Sequence, residues 1–394
     1  MEAVAVVFPG LKKVLLGLLS LLFVLPALQA KWHLLPVPPL EGYSEPSACP
    51  SFSFENLLSD TYQPQFETYL SDRLGFRELA IRLRNQLAYS LFNQVHASDV
   101  LLGQHEVLYQ GGPTESYLGR DYLGIDALRQ HAERVRDVQD SLARHGVQLL
   151  YVLAPGKPSY QPEDLPPSVQ AIWPGPTNYE EFSHALPKAG VHTLDAAALF
   201  KKWKPTAAYP LFPRGGTHWS GYGVTLVADT LFRAIEALTH VDLPDFTTVR
   251  PGLVTTDSLR FTDNDIARGL NLLRLPRPYP MAYPVVTFAA PTAHQQRLNA
   301  LLIGDSFTQS FIGFYPYLSK LLDNHSRFWY YNEYTYWPEN IPAESHVVHE
   351  LNLRQQLEGR QLVLLLTTEQ NVSKKSFGFI DEVYNLYHID EVVK

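Results

Sequence analysis

Three nearly unbroken apolar runs constrain this chain more than any other feature: Val147–Leu153, Leu298–Ile303 and Gln361–Leu366. A strand with one wet face alternates apolar and polar residues, whereas these do not, so both of their faces must be covered. Helical spacing separates them. Leu128, His131, Val135, Val138 and Leu142 line one face, a second helix is expected around Glu180 to Lys188, and Val224, Val227, Leu231 and Ile235 line a third. A shorter strand is expected at Val191–Leu194. Strands alternating with helices define an α/β fold, a three-layer α/β/α sandwich around a mostly parallel sheet. No internal repeat is visible. In such a sheet reactive groups collect where strands end at their carboxyl side. Three segments qualify: Ala154-Pro155-Gly156-Lys157, Gly304-Asp305-Ser306-Phe307 and Thr367-Thr368-Glu369.

The remaining chain frames this domain. Lys12 and Lys13 precede an apolar stretch from Val14 to Leu25, followed by Pro26 and Ala27-Leu28-Gln29-Ala30. A positive flank, a short apolar core and small residues describe a signal peptide or signal-anchor over residues 1–30. The expected location is therefore periplasmic or otherwise outside the cytoplasm, with anchoring to the inner membrane through the N-terminus as the uncleaved alternative. Residues 31–120 read as an extended leader, an amphipathic helix and a hairpin that pack on the main domain. The helix carries Phe76, Leu79, Leu83, Leu87 and Leu91, and the hairpin is formed by Val100–Gly103 and Val107–Tyr109. The main domain spans 121–394, with a Pro-rich insertion at about 242–297. A formal charge of −8 argues against a nucleic-acid partner, which needs basic residues to displace counterions from phosphates. The single cysteine, Cys49, excludes an internal disulfide framework and any multi-thiolate metal site. The segment 344–350 gathers carboxylates and imidazoles, but its histidines are three apart and no third ligand is evident. No metal and no cofactor are expected.

Gly304-Asp305-Ser306-Phe307 is the sharpest chemical signal. A glycine at a strand end permits a tight turn that leaves a serine hydroxyl exposed at the head of the next helix, where backbone N–H groups around Gly304 and the helix dipole stabilise an oxyanion. The plainer reading is a helix cap. A serine nucleophile needs a base, and His218 lies in the glycine-rich turn Gly215-Gly216-Thr217-His218-Trp219 ahead of an amphipathic helix. An unperturbed imidazole, with a pKa of about 6.5, exchanges protons near neutral pH. Lys157 follows a strand-end turn and is a candidate contact for an oxyanion or an anionic substrate, or else an exposed loop lysine. The aromatics Phe328-Trp329-Tyr330-Tyr331, Tyr334, Tyr336 and Trp337 offer flat surfaces for sugar rings, or core packing.

Thr-His-Trp before a glycine turn, followed by strand–Gly-Asp-Ser-Phe, resembles the alginate O-acetyltransferase family, whose members carry a permuted SGNH-hydrolase-like domain. Ser71-Asp72-Arg73-Leu74-Gly75-Phe76-Arg77, Val152–Lys157 and the N-terminal anchor are similar to that family in register. The resemblance spans roughly residues 65–370. It implies a nucleophile at Ser306, a base at His218, a polysaccharide acceptor outside the cytoplasm and a membrane-bound protein as acetyl donor. The chain departs from the family at one position: where Asp-x-His-Trp has its aspartate, this sequence has Gly216. The missing acid implies either a substitute or low activity. Candidate substitutes are Asp195, Glu369, Asp263 and Asp265, while Asp305 is expected to point away from the imidazole. On sequence grounds Gly216→Asp is expected to raise activity. Three functions stay open: an O-acetyltransferase working through an acetyl-serine, an acetyl esterase with the same machinery, and a non-catalytic polysaccharide-binding scaffold.

Overall fold

A computed structural model describes residues 9–42, 46–339 and 345–388. The first eight residues of the signal segment and Glu344 of the 344–350 segment therefore lie outside the described residues. The chain divides into two units, residues 1–97 with 268–275, and residues 98–267 with 276–394.

The first unit is helical: α1 (Pro9–Trp32), α2 (Phe54–Leu58), α3 (Tyr62–Asp72) and α4 (Arg77–Phe92). Within it α1 is long and apolar enough to cross a membrane over Lys12–Trp32. The leucine row of α4 departs from the sequence reading. Leu79, Leu83, Leu87 and Leu91 are exposed, whereas Asn85, Ala88 and Tyr89 form the buried face. Helical periodicity separates two faces of unlike polarity, but it does not say that the apolar one meets protein.

The second unit begins with a hairpin, β1 (Val100–Leu102) and β2 (Leu108–Gln110). Its centre is a six-stranded sheet of β3 (Gln148–Ala154), β4 (Thr193–Asp195), β7 (Ala300–Gly304), β8 (Arg327–Tyr330), β9 (Tyr334–Trp337) and β10 (Leu362–Thr368), ordered β4-β3-β10-β7-β8-β9. All neighbours are parallel except the β8–β9 edge pair. Between β4 and β7 the insertion folds as an antiparallel pair, β5 (Phe246–Thr255) and β6 (Met281–Phe288), with the one-turn helix Asp265–Gly269 between them.

Alternation along each central strand builds two cores. Leu150, Val152, Ala300, Leu302, Leu362 and Leu364 face the helix Gly221–Thr239 through Val224, Val227, Leu231 and Ile235. Leu149, Tyr151, Leu301, Ile303, Val363 and Leu365 face the helix Ile125–Arg144 through Leu128, Val135, Val138 and Leu142. Successive residues pointing to opposite faces, both apolar, are what a sheet covered by helices on both sides requires. The same geometry brings the ends of β3, β7 and β10 to one edge. It also settles much of the aromatic run, because Phe328 and Trp329 are fully buried in the two cores while Tyr334 stays exposed.

Candidate active site

The chain leaves β7 at Gly304 into a turn held by Thr308 N–H to the Asp305 carbonyl (3.0 Å) and Gln309 N–H to the Ser306 carbonyl (3.2 Å). The helix that follows, Ser310–Gly313, is four residues long and begins four positions beyond Ser306, so Ser306 does not stand at the head of a helix as expected. Gly304 is buried, and a Cβ there would collide with Thr308 Oγ1 and the Leu366 backbone. The missing side chain is thus what lets the turn close. Asp305 points away from the imidazole. Its Oδ2 accepts from Thr368 N–H (2.8 Å), Thr368 Oγ1 (2.7 Å) and Asn371 Nδ2 (2.7 Å), and its Oδ1 from Phe307 N–H (3.1 Å). The buried carboxylate fastens the Ser306 turn to the end of the neighbouring strand β10 and leaves Ser306 itself half-buried at the rim.

His218 approaches from a segment 88 positions earlier, and its Nε2 lies 2.8 Å from Ser306 Oγ. Immediately after it, Trp219 is fully buried against Phe307 and Phe311, and Ser220 caps the helix Gly221–Thr239 through Gly223 N–H. A buried indole and a helix cap on one side of the imidazole leave it little freedom to swing. The other ring nitrogen, Nδ1, lies 2.7 Å from Asp265 Oδ2. Because a carboxylate only accepts, Nδ1 carries the proton and Nε2 is free to accept from the serine hydroxyl.

Asp265 stands at the start of the one-turn helix in the insertion. Its Oδ1 accepts Thr217 N–H (3.1 Å) and Ile266 N–H (2.7 Å), so the carboxylate is oriented by backbone from both segments it joins. The two glycines ahead of the histidine make the approach possible. A Cβ at Gly216 would strike the Thr262 carbonyl oxygen and stand 2.8 Å from Pro213 Cγ and 3.1 Å from Asp265 Oδ1, and one at Gly215 would meet Asn264 and Ala267. Ala267 N–H then bonds the Gly215 carbonyl at 2.9 Å. The absent acid at 216 and the acid at 265 are one feature: space vacated by a side chain is filled by the segment that supplies the carboxylate.

Other candidates lie elsewhere. Asp195 caps the helix Ala196–Trp203 through Ala198 N–H (2.8 Å) and takes the Tyr179 hydroxyl at 3.1 Å. Glu369 is buried beside Gly156 and bonded by Ser159, and burial, partly offset by that bond, pushes it up to about 7. Asp263 is buried against the Tyr283 hydroxyl (2.7 Å), and burial likewise raises it to about 7. None of the three is bonded to His218. Lys157 also needs correcting as an oxyanion or substrate contact, since it is almost wholly inaccessible. Its ammonium donates to the carbonyls of Leu108 (2.7 Å), Pro213 (2.7 Å), Arg214 (3.0 Å) and Gly216 (2.7 Å). Burial pushes its pKa down to about 7, with Asp265 and Asp164 opposing that shift. Lys157 thus ties the β1–β2 hairpin to the loop that presents His218.

Sequence reasoning grouped Tyr331 with the sugar-facing aromatics. Its N–H bonds the Gly304 carbonyl at 2.9 Å, and its hydroxyl stands among Asn371, Tyr330 and Ser306. The register of β8 beside β7, not any motif, puts it there. Among the described residues, no three His, Cys, Asp or Glu side chains gather to hold a metal ion.

An alcohol, an imidazole and a carboxylate thus stand in one hydrogen-bonded row at the carboxyl edge of the strands of an α/β sheet. Residues 120–325, just over half of the chain, match the family described as the SGNH hydrolase-like domain of the acetyltransferase AlgX, and the chain belongs to that family. It is 27% identical over 215 residues to the probable alginate O-acetylase AlgJ of Pseudomonas aeruginosa, covering 55% of this chain and 50% of that protein. To the AlgJ of Azotobacter vinelandii it is 24% identical over 173 residues, 44% of this chain and 42% of that one. The chain thus spans about half the length of the curated relatives it matches. Among solved structures, the O-acetyltransferase domain of Pseudomonas putida AlgJ aligns over 73% of this chain and 99% of that domain, with 20% identity and a TM-score of 0.48. Bacillus cereus PatB1 aligns over 71% of this chain and 99% of its own, with 13% identity and a TM-score of 0.43.

Proposed function

We propose that this protein is an O-acetyltransferase that moves acetyl groups onto polysaccharide hydroxyls outside the cytoplasm. The observation that carries the reading is the continuous row Ser306 Oγ–His218 Nε2 (2.8 Å) and His218 Nδ1–Asp265 Oδ2 (2.7 Å). Ser306 attacks the carbonyl carbon of an acetyl donor while His218 takes its proton, and the imidazolium is stabilised by Asp265. Collapse of the tetrahedral intermediate expels the donor's leaving group, protonated by His218, and leaves an acetyl-serine. A sugar hydroxyl, deprotonated by the same imidazole, then attacks that ester and restores Ser306. In this reading backbone N–H groups at the Ser306 turn bond the oxyanion. Family membership supports acetyl as the group transferred, and a donor held in the membrane fits the apolar α1.

A sequence lacking a triad acid invited the scaffold reading. With Asp265 beside His218, that motive is gone. The esterase reading shares every atom of the acylation step and differs only in the acceptor. The test is to load the purified full chain from an activated acetyl ester, then add uronic-acid and neutral oligosaccharides. A transferase gives acetylated oligosaccharide and turns over faster with acceptor present. Free acetate at a rate indifferent to every acceptor supports the esterase, and no acetyl-enzyme at all removes catalysis.

A further inference from the structure

We propose that α4 lies flat on the lipid surface of the bilayer that α1 enters, its leucine row sunk to the boundary between headgroups and acyl chains. The proposal does not depend on the chemistry at Ser306. Within the first unit, the elbow between α3 and α4 is built on the end of α1. Gly75 sits so close that a Cβ there would strike the Pro26 carbonyl oxygen and stand 2.6 Å from Gln29 Cβ and 2.7 Å from Ala30 N. Gln29 is itself fixed, donating to the Leu35 carbonyl (2.7 Å) and accepting its N–H (3.0 Å). Phe76, in the left-handed region at φ 62°, then turns the chain into α4. Helix α4 therefore starts beside the last turns of α1, which closes on Lys31 and Trp32, residue types that gather at membrane–water boundaries.

The outward face of α4 has the composition such a position requires. Leu79, Leu83, Leu87 and Leu91 are between 45% and 67% exposed along a helix of 16 residues, about 24 Å. Its opposite face is engaged: Asn85 bonds the Leu270 carbonyl at 2.9 Å, and Arg82 bonds the Pro38 and Pro39 carbonyls at 2.8 and 2.6 Å. Arg84 stands exposed beside the row with its guanidinium on the Asn85 side-chain oxygen, and Arg77 pairs with Asp72 at 3.2 Å, so the leucines and not net charge carry this face. A continuous leucine row is costly in water, and an interfacial helix buries it without any protein partner.

The single native cysteine makes the test direct. In the full chain carrying Cys49→Ser, single cysteines at Leu83→Cys, Leu87→Cys and Leu91→Cys are spin-labelled. Leu21→Cys serves as the membrane reference and Glu115→Cys as the water reference. The protein is reconstituted in vesicles of phosphatidylethanolamine and phosphatidylglycerol, and collision with oxygen is compared with collision with a water-soluble nickel chelate. The expected result is that labels on α4 favour oxygen over nickel, in the direction of position 21 but at shallower depth. Three results overturn the proposal: nickel access equal to that at position 115, low access to both reagents, as under a protein partner, or spin–spin broadening from a second copy.

Discussion

Asp265 takes the position beside His218 that Gly216 leaves open, and the contacts are visible atom by atom. The carboxylate takes two backbone amides on one oxygen and the imidazole on the other. Its charge is therefore held in one orientation without a second acidic side chain. Replacing it by the isosteric amide loses the acceptor that fixes the tautomer of His218. Asp265→Asn is expected to lower kcat by roughly 10³–10⁴-fold with little change in KM, as loss of the orienting acid does in a serine-protease triad. Steady-state rates with an activated acetyl ester check this, and a fall of less than tenfold would contradict the assignment. Gly216→Asp, expected from sequence alone to help, is now expected to harm. Its Cβ has no room beside Thr262 and Pro213, and its carboxylate would face Asp265. Activity and melting temperature should both fall. A gain in activity would mean that 216, and not 265, is the effective acid position.

At the scale of elements, the site depends on how loops are fastened rather than on regular structure. The loop bearing His218 is drawn in by one buried ammonium, which collects carbonyls from β2 and from residues 213, 214 and 216. Lys157→Met keeps most of the volume but removes the ammonium from these carbonyls, of which that of Arg214 still accepts the Leu108 N–H at 2.9 Å. It should cost on the order of 1–3 kcal/mol in urea denaturation, the usual penalty for buried polar groups left unpaired. kcat should fall as well, because the same loop places the imidazole. Normal kcat in a destabilised variant would confine Lys157 to stability. The insertion is the second fastening, since the acid rides on it. Sequence patterns showed it only as a Pro-rich interruption of the α/β alternation, which says where the sheet pauses and nothing about where the inserted chain returns.

For the whole molecule, the sheet was legible because apolar runs such as Leu362–Leu366 must be buried on both faces, and burial on both faces dictates helices on each side. Ser306 and His218 were legible because a strand-end glycine–acid–serine and a histidine before a capped helix carry local signals. The choice of Asp265 among several acids was not, because it rests on a contact 47 positions long that no local pattern records. Lys157 misled for a related reason: a lysine after a Pro-Gly turn looks exposed until the carbonyls that surround it are known. Global stability should also register the buried acids. Glu369 and Asp263 are both pushed up to about 7 from ordinary values of 4.5 and 3.8. Between those limits the folded state binds more protons than the unfolded one. Their contribution is thus complete at the acid end and is lost as pH rises toward about 7. Urea midpoints across that window should show Glu369→Gln with a shallower decline than the parent chain, and an unchanged slope would remove Glu369 as a source.

The central claim is that Ser306 becomes acetylated through His218 and Asp265, and intact-protein mass spectrometry tests it most directly. After brief exposure to an activated acetyl ester and acid quenching, the wild-type chain should gain the mass of one acetyl group, mapped by fragmentation to Ser306. Ser306→Ala should gain none, and Asp265→Asn should gain it far more slowly. Equal labelling of all three proteins, or an acetyl group mapped to another residue, would contradict the account.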